Sequence, residues 1–225
     1  MENGFRVRPH VARAVAGVRH VLLDYDGLCF VMPDGAGPWE VFRALPQTPW
    51  AHFSRSMPYM LWRLATHEPE LAAAAEPIAS AVELDGALTA RMTRGLPEVL
   101  ATGAAAGRRM WVVGGISETA MRAGLRAHGL ESRVAEIAGR HGLDGDTLGV
   151  VNVAVRAARV LGVDPARCLL VSGRGEVLRA AGQSGFAVLG VPCGHDTRKW
   201  LGDYAPVVTN LERLGQALTA RGGPG

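Results

Sequence analysis

The first clear element in the chain is a short apolar run that ends in a polar turn. Residues 20–23 read His-Val-Leu-Leu, and Asp24-Tyr25-Asp26-Gly27 follows them directly. A short apolar run bounded by turn residues is typical of a strand buried in a parallel sheet. The pattern therefore predicts a buried strand over residues 18–24 with two carboxylates at its carboxyl end.

Apolar residues recur at helical spacing between residues 29 and 94, where proline and tryptophan are also frequent. Leu61, Leu64 and Ala65 follow this spacing, and Ser56 with Pro58 marks a predicted helix start. Proline removes a backbone donor and ends helices. The prolines at positions 46, 49, 69 and 77 are therefore expected to divide this stretch into short helices.

Predicted helices and strands alternate from residue 96 onward. The helices cover residues 96–106, 117–128, 151–161, 176–183 and 211–220, and the strands cover residues 110–113, 134–138, 168–172, 186–191 and 206–209. This alternation indicates a doubly wound parallel sheet, the Rossmann-type α/β architecture. Because it resumes after the helical stretch, we predict an α/β core formed by residues 1–28 and 95–225, with residues 29–94 as an inserted helical segment.

The predicted sheet also indicates where a ligand site should lie. Ligands of doubly wound sheets bind beyond the carboxyl ends of the strands, and those ends carry Asp24, Gly114, Gly173 and Cys193. Cys193 and His195 stand two residues apart at this edge. They form either an ordinary loop or a nucleophile pair.

Composition narrows the class of protein. The net charge of +3 and pI near 9.0 are a mild basic excess spread along the chain, which predicts no nucleic-acid partner. No run approaches the ~18 apolar residues of a membrane span. Three cysteines without paired spacing fit a reducing compartment, and the first residues include no apolar stretch of signal-peptide length, so we expect a cytoplasmic protein.

Asp24-Tyr25-Asp26-Gly27 at the end of a buried strand, followed by a helical insertion, resembles the haloacid-dehalogenase-like (HAD) superfamily. More narrowly, the order of elements is similar to the phosphatases and phosphomutases whose helical cap follows the first motif. Residues 160–171 and 182–191 resemble the surroundings of the family's last acidic motif. The resemblance implies a doubly wound core with a cap formed by residues 29–94.

The resemblance also implies roles for the two aspartates. Asp24 would be the nucleophile that takes a phosphoryl group, and Asp26 the general acid and base for the leaving group. Side chains two apart on an extended strand point the same way, so two carboxylates can flank one reacting centre. The implied Mg²⁺ would be held by the Asp24 carboxylate, the backbone carbonyl of Asp26 and a later aspartate.

Three positions depart from the family pattern. Gly114 stands where the family has a serine or threonine, Leu148 where it has a lysine, and Gly173 where it has the metal-binding aspartate. Loss of one preorganised stabilising group typically costs ~10²–10³ in rate, so these departures predict weak or altered turnover.

Nearby residues could replace the missing phosphate-binding groups. The backbone amides of Gly114 and Gly115 could hold an anion, or they form a plain turn. Arg140 or His141 could supply the positive charge of the lysine, and Arg140 could equally be a surface residue. Arg174 could bind a phosphate directly.

The metal site has its own candidate substitutes. Glu176 could reach back as a ligand beside Asp24 and Asp26, or it only favours the first turn of a helix, where acidic residues are stabilised. Arg174 could instead neutralise Asp24 in place of a metal.

The inserted segment is rich in aromatic residues, which are Trp39, Phe42, Trp50, Phe53, Tyr59 and Trp62. They form either the small core of this segment or the lining of a pocket over the strand ends. We favour the small core.

Two functions follow from these patterns. The first is a HAD-type phosphate-monoester hydrolase that uses Asp24, Asp26 and Mg²⁺. The second is a catalytically inactive HAD-like protein that binds a small molecule, phosphorylated or not, or a protein partner. Metal binding discriminates between them, because only the first function requires Mg²⁺.

Overall fold

The computed structural model of the protein describes residues 7–33, 37–143, 148–194 and 196–219. The strands are β1 (His20–Asp24), β2 (Phe30–Val31), β3 (Arg91–Met92), β4 (Arg109–Ser117), β5 (Glu136–Arg140), β6 (Cys168–Ser172) and β7 (Ala187–Gly190). The helices are α1 (Pro9–Val15), α2 (Pro38–Ala44), α3 (Met57–His67), α4 (Pro69–Thr89), α5 (Leu96–Ala105), α6 (Glu118–Ala127), α7 (Val150–Val160), α8 (Gly175–Gln183), α9 (Arg198–Gly202) and α10 (Leu211–Thr219).

Five strands form one parallel sheet in the order β5-β4-β1-β6-β7, which confirms the predicted α/β class. β1 lies in the centre, with Asp24 opposite Val113 of β4 and Leu23 opposite Val171 of β6. Because these strands run in parallel, their carboxyl ends meet at one edge. Asp24, Ser172 and the glycines after Val113 therefore lie close together.

Both faces of the sheet are buried, which explains the continuous apolar runs of its strands. Val21 and Leu23 of β1 pack on one face with helices α1, α5, α6 and α10. Leu22 packs on the opposite face with α7 and α8. At about 25 cal/mol per Å² of apolar surface, burial on both faces stabilises the position of β1 and of the carboxylate at its end.

The helical segment, residues 29–94, enters and leaves the core through one short antiparallel ribbon. β2 pairs with β3, with Phe30 opposite Met92 and Val31 opposite Arg91. Within the segment, α3 and α4 pack through a cluster of leucine, methionine and alanine side chains, to which Leu148 of the core also belongs. The position of the missing lysine is therefore filled by an apolar contact with the segment.

Two predicted local features are wrong. Pro77 does not end a helix, because α4 runs for 21 residues through it. Ala72, Ala75 and Ala79 are fully buried around this point, so packing along the whole helix outweighs the cost of the missing backbone donor. Residues 206–209 do not form a strand, since only Val207 makes an isolated bridge, to Gly190.

In the described part of the chain, every helix is too short or too polar to cross a membrane.

Candidate active site

Asp24 ends β1 and lies fully buried at the carboxyl edge of the sheet. A π-helical turn, Tyr25–Cys29, follows it, and the Gly27 backbone amide donates to Asp24 Oδ1 at 3.3 Å. A Cβ atom on residue 27 would overlap the Asp24 carboxylate and lie 2.8 Å from Arg174 Nε. Glycine is therefore required in this motif by the close approach of Arg174 and Asp24.

Arg174, which precedes α8, binds both motif carboxylates. Its Nη2 lies 3.0 Å from each oxygen of Asp24 and 3.1 Å from Asp26 Oδ1. Its Nε lies 3.2 Å from Asp24 Oδ2, and its Nη1 lies 3.3 Å from Asp26 Oδ2. The planar guanidinium is thus shared by two carboxylates, a geometry that a lysine could not reproduce.

Ser172 completes the surroundings of the Asp24 carboxylate. Its buried hydroxyl donates to Asp24 Oδ2 at 2.6 Å and accepts the Arg174 backbone amide at 3.0 Å. Oδ1 of Asp24 thus accepts from two donors and Oδ2 from three. A carboxylate offers about four lone-pair sites, so the acceptor capacity of Asp24 is filled.

Burial controls the ionisation of this cluster. Burial is the largest cause that raises the pKa of Asp24, the Arg174 guanidinium lowers it and the charge of Asp26 raises it, with a net pKa of about 6. Burial alone would lower the pKa of Arg174, but the charges of Asp24 and Asp26 raise it. Arg174 therefore stays protonated, and Asp24 loses its proton in the pH range where most carboxyl groups are already ionised.

Gly173 stands where the family has its acidic metal ligand, and there is no space for a side chain there. A Cβ atom would overlap the Cys193 thiol and lie 2.6 Å from the carbonyl oxygen of Gly27. That carbonyl accepts the Gly173 amide and the Cys193 thiol, each at 2.8 Å. Cys193 thus fills the volume that a side chain at position 173 would use.

The residues present do not fit the Mg²⁺ ion that the sequence resemblance implies. In residues 7–33, 37–143, 148–194 and 196–219, no three or more His, Cys, Asp or Glu side chains are arranged to hold a metal ion. Arg174 binds both aspartates, while Glu176 is an exposed residue in the first turn of α8. Mg²⁺ requires near-octahedral oxygen ligands at about 2.1 Å, and these carboxylates are spaced for N–H donors instead.

The two glycines of β4 face different surroundings. A Cβ atom on Gly114 would lie 2.8 Å from Met121 Sδ and 3.1 Å from Tyr25 Cβ, so this position faces α6 and is closely packed. A Cβ atom on Gly115 would lie 2.8 Å from Pro58 of α3 and near Gly149. Gly115 therefore lies where the helical segment touches the core. Of the two glycines, only Gly115 lines the pocket between the segment and the core.

Arg140 is neither a surface residue nor directed at a phosphate. Its side chain is fully buried and forms ion pairs with Glu76 and Glu83 of α4. Glu83 also accepts the Ser117 backbone amide at 2.8 Å, and burial raises the pKa of Glu83 to about 7 despite the charge of Arg140. Arg140 is thus the shared counter-ion of Glu76 and Glu83. His141 likewise lies 2.7 Å from a carboxylate oxygen of Glu118.

A pocket of about 230 Å³ lies beside the ion cluster, between the helical segment and the core. Asp26, Arg174 and Glu176 form its polar side. The helical segment contributes Ser56 and Pro58, and the first turn of α7 contributes Val150, Val151 and Asn152. The volume is below the usual 300–1,000 Å³ of drug-sized sites, so it suits a small molecule.

The aromatic residues of the helical segment do not line this pocket. Trp39, Phe42, Trp50 and Phe53 contact one another, with the rings of Phe42 and Trp50 centred 4.5 Å apart. Only Phe42 is buried, and Trp50 remains 67% exposed. The small core of the segment is instead the cluster of leucine, methionine and alanine side chains, and the aromatic residues present apolar surface.

Of Cys193 and His195, which form either a loop or a nucleophile pair, only the cysteine belongs to the described residues. The Cys193 thiol contacts the Gly27 carbonyl, and Asp196 accepts the first backbone amide of α8, from Gly175, at 2.7 Å. His195 lies outside the described residues.

Ser172 and Cys193 are site residues whose roles sequence reasoning missed. Ser172 is the last residue of a strand beside β1 and carries a hydroxyl. These two features could have identified it as a site residue from the sequence. The contact of Cys193 with Gly27 joins residues 166 positions apart, and no sequence pattern encodes it.

The fold of the chain is similar to that of several solved structures. No family model matches the chain, and no curated protein matches it by sequence. A predicted phosphatase from Clostridium acetobutylicum superimposes with a TM-score of 0.70 at 16% identity, covering 88% of this chain and 97% of that one. CbbY from Rhodobacter sphaeroides, in complex with phosphate, gives 0.61 at 19% identity, with 88% and 96% covered.

A haloacid dehalogenase-like family hydrolase from Streptococcus pneumoniae gives a TM-score of 0.63 at 14% identity, covering 88% of this chain and 97% of that one. The match extends over almost the full length of each of these structures, so it includes both the sheet and the helical segment. The chain therefore has the fold of the haloacid-dehalogenase-like superfamily, as its first motif indicated.

Proposed function

We propose that this protein binds a small molecule in the pocket between the helical segment and the core, and that it does not catalyse Mg²⁺-dependent phosphoryl transfer. The observation that carries the proposal is the state of Asp24. Its carboxylate is fully buried, and both oxygens are held by Ser172, Arg174 and the Gly27 amide.

A nucleophilic carboxylate needs a lone pair that can reach the electrophile. For Asp24 to attack phosphorus, Arg174 would have to leave both aspartates at once. That movement would leave two neighbouring carboxylates without a counter-ion, one of them buried, which is strongly unfavourable. The Asp24–Arg174 arrangement therefore supports a stable ion cluster and opposes turnover.

The groups that would stabilise a transferring phosphoryl group are also replaced. Gly114 faces Met121 and Tyr25, Leu148 packs in an apolar cluster, and Gly173 has no side chain. Each such stabilising group is worth ~10²–10³ in rate, although groups that act as a unit are not additive. These replacements would remove most of an enzyme's rate advantage.

The charge of the pocket indicates the class of ligand. The cluster and its rim carry three carboxylates, of Asp24, Asp26 and Glu176, and one guanidinium, of Arg174, for a formal net charge of −2. The amino terminus of α7 contributes only about +0.5 of a charge. We therefore expect a small neutral or positively charged ligand in preference to a phosphate dianion.

A pair of measurements tests the proposal. The first is phosphate release from a panel of phosphate monoesters, with and without Mg²⁺, with Asp24→Asn as the control. The second is a thermal-shift screen of small neutral and cationic compounds against the wild type and Ala180→Leu, which narrows the pocket. Gln183→Leu, at an exposed position of the same helix, is the matched control.

We expect no release above that of Asp24→Asn, and stabilising compounds whose effect is lost in Ala180→Leu and retained in Gln183→Leu. Stabilisation that persists equally in both variants would contradict binding in this pocket. If no compound stabilises the wild type, the exposed aromatic surface of the helical segment becomes the place to look for a protein partner.

A second candidate function is Mg²⁺-dependent phosphate-monoester hydrolysis in a rearranged site. The intact pair Asp24 and Asp26 at the end of the central strand favours it. Metal-dependent phosphate release that vanishes in Asp24→Asn would establish this function and overturn our proposal.

A further inference from the structure

A single nitrogen of Arg174 lies where three carboxylate oxygens converge. Nη2 is 3.0 Å from Asp24 Oδ1, 3.0 Å from Asp24 Oδ2 and 3.1 Å from Asp26 Oδ1. Oxygens from two ionised carboxylates repel each other, so a positive charge at the point where they converge stabilises the arrangement. The arrangement is that of a cation site whose cation belongs to the protein.

This placement excludes a second cation. A divalent ion bound by the same oxygens would lie within a few ångströms of the guanidinium, in a partly buried region where the charges are poorly screened. Arg174 does not dissociate as a metal does, and the two aspartates keep it protonated. The aspartates can therefore bind either Arg174 or a metal ion.

Position 173 limits the cluster to two carboxylates. A side chain there would overlap the Cys193 thiol and approach the Gly27 carbonyl oxygen to 2.6 Å. Cys193 is held in this volume by its contact with the same carbonyl. A third acidic ligand thus has no space at this position.

We propose that Arg174 is a built-in counter-ion that replaces a divalent cation, so that the ion cluster is complete without metal and accepts one only when Arg174 is removed. This inference goes beyond ligand binding in the pocket and stands whether or not a ligand is found. Asp24 and Asp26 would therefore be able to bind a cation, but in the wild-type protein Arg174 occupies their oxygens.

The test uses Mn²⁺ as the probe, because electron paramagnetic resonance separates its free and bound forms directly. Binding is measured with the wild type, Arg174→Ala, and Arg179→Ala as a control that removes an exposed arginine from the same helix. Thermal unfolding of each variant is recorded against Mn²⁺ and Mg²⁺ concentration.

We expect no bound Mn²⁺ at the site in the wild type or in Arg179→Ala. Arg174→Ala should bind Mn²⁺, and its unfolding temperature should rise with the concentration of either metal. Adding Asp24→Asn to Arg174→Ala should abolish both effects.

Wild-type binding of Mn²⁺ that is lost in Asp24→Asn would overturn the proposal, since metal and Arg174 would then coexist. If Arg174→Ala does not fold alone, the same titration is made during refolding, with Arg174→Gln as a milder variant. Recovery of the fold by Mn²⁺ supports the proposal. If neither variant binds metal, either when folded or during refolding, the proposal is contradicted. Neither readout depends on phosphate release or on a pocket ligand.

Discussion

Nη2 of Arg174 lies 3.0 Å from both oxygens of Asp24, so one nitrogen bridges the whole carboxylate. Asp24 is fully buried, and the side chain of Arg174 is only 21% exposed. Two groups withdrawn from water to this extent depend on each other, because either one alone would be a desolvated and uncompensated charge. The stability of the strand end therefore depends on the shape of the guanidinium as well as on its charge.

Replacement of Arg174 by lysine keeps the charge and removes the planar fork. A single ammonium cannot reproduce contacts with both Asp24 and Asp26, so we expect Arg174→Lys to lower the free energy of unfolding by about 1–3 kcal/mol. Urea denaturation measures this loss, with Arg179→Lys as the control that should change little. A stability equal to that of the wild type would show that charge alone is sufficient.

Gly173 and Cys193 should be energetically coupled. Gly173→Ala places a methyl group against the Cys193 thiol, and we expect overpacking to cost roughly 1–3 kcal/mol. Cys193→Ala removes the sulfur and should recover part of this loss, but not all of it, because the Gly27 carbonyl oxygen remains 2.6 Å away. A double-mutant cycle by urea denaturation gives the coupling, and strictly additive effects would contradict it.

Glu83 and Glu76 both bind Arg140 but should differ in importance. Glu83 is 1% exposed and also accepts the Ser117 amide, whereas Glu76 is 26% exposed. We expect Glu83→Ala to cost about 3–5 kcal/mol, because it leaves a buried guanidinium short of an anion, and Glu76→Ala to cost clearly less. Glu83→Gln keeps a hydrogen-bond acceptor and should recover part of the loss. Equal effects of the two alanine variants in urea denaturation would count against this ranking.

Stability should depend on pH through Asp24. Burial raises its folded-state pKa from 3.8 to about 6, so between these values the folded state binds the proton that the unfolded state releases. The contribution is fully present below about pH 4 and is lost as the pH rises through about 6, a change of up to about 3 kcal/mol. The free energy of unfolding should therefore fall over this range more steeply in the wild type than in Asp24→Asn.

Carbon-13 NMR of labelled aspartate side chains provides a direct check of this pH dependence. One resonance, lost in Asp24→Asn, should titrate near pH 6. A midpoint near 4 for that resonance would show that Arg174 outweighs burial.

The parallel sheet could be predicted from the sequence because it depends on local patterns. The run before Asp24 is apolar since both faces of β1 are buried, and α6 begins directly after Ser117, close to the predicted start of the helix over residues 117–128. Pro77 shows the limit of this approach. Its effect on α4 was decided by alanines that pack along the entire helix, which the local sequence does not reveal.

The candidate site could be predicted only where it follows strand order. Asp24 and the strand end at Ser172 belong to neighbouring parallel strands, so their proximity follows from the topology. The burial of Arg140 could not be predicted, because its partners, Glu76 and Glu83, lie more than fifty residues earlier in another part of the fold. The side-chain direction of Arg174 likewise depends on a contact across 150 positions, although its charge made it a candidate.

Glu83 belongs to the helical segment, yet its partners, the Ser117 amide and Arg140, belong to the sheet. A core that folded without the segment would have to bury the Arg140 guanidinium with no anion beside it. Docking of α4 is therefore a condition for the end of β5 to reach its final state, and the segment is not a separable module. Trp50 in the segment and Trp111 in the sheet should lose their native environments in one cooperative transition.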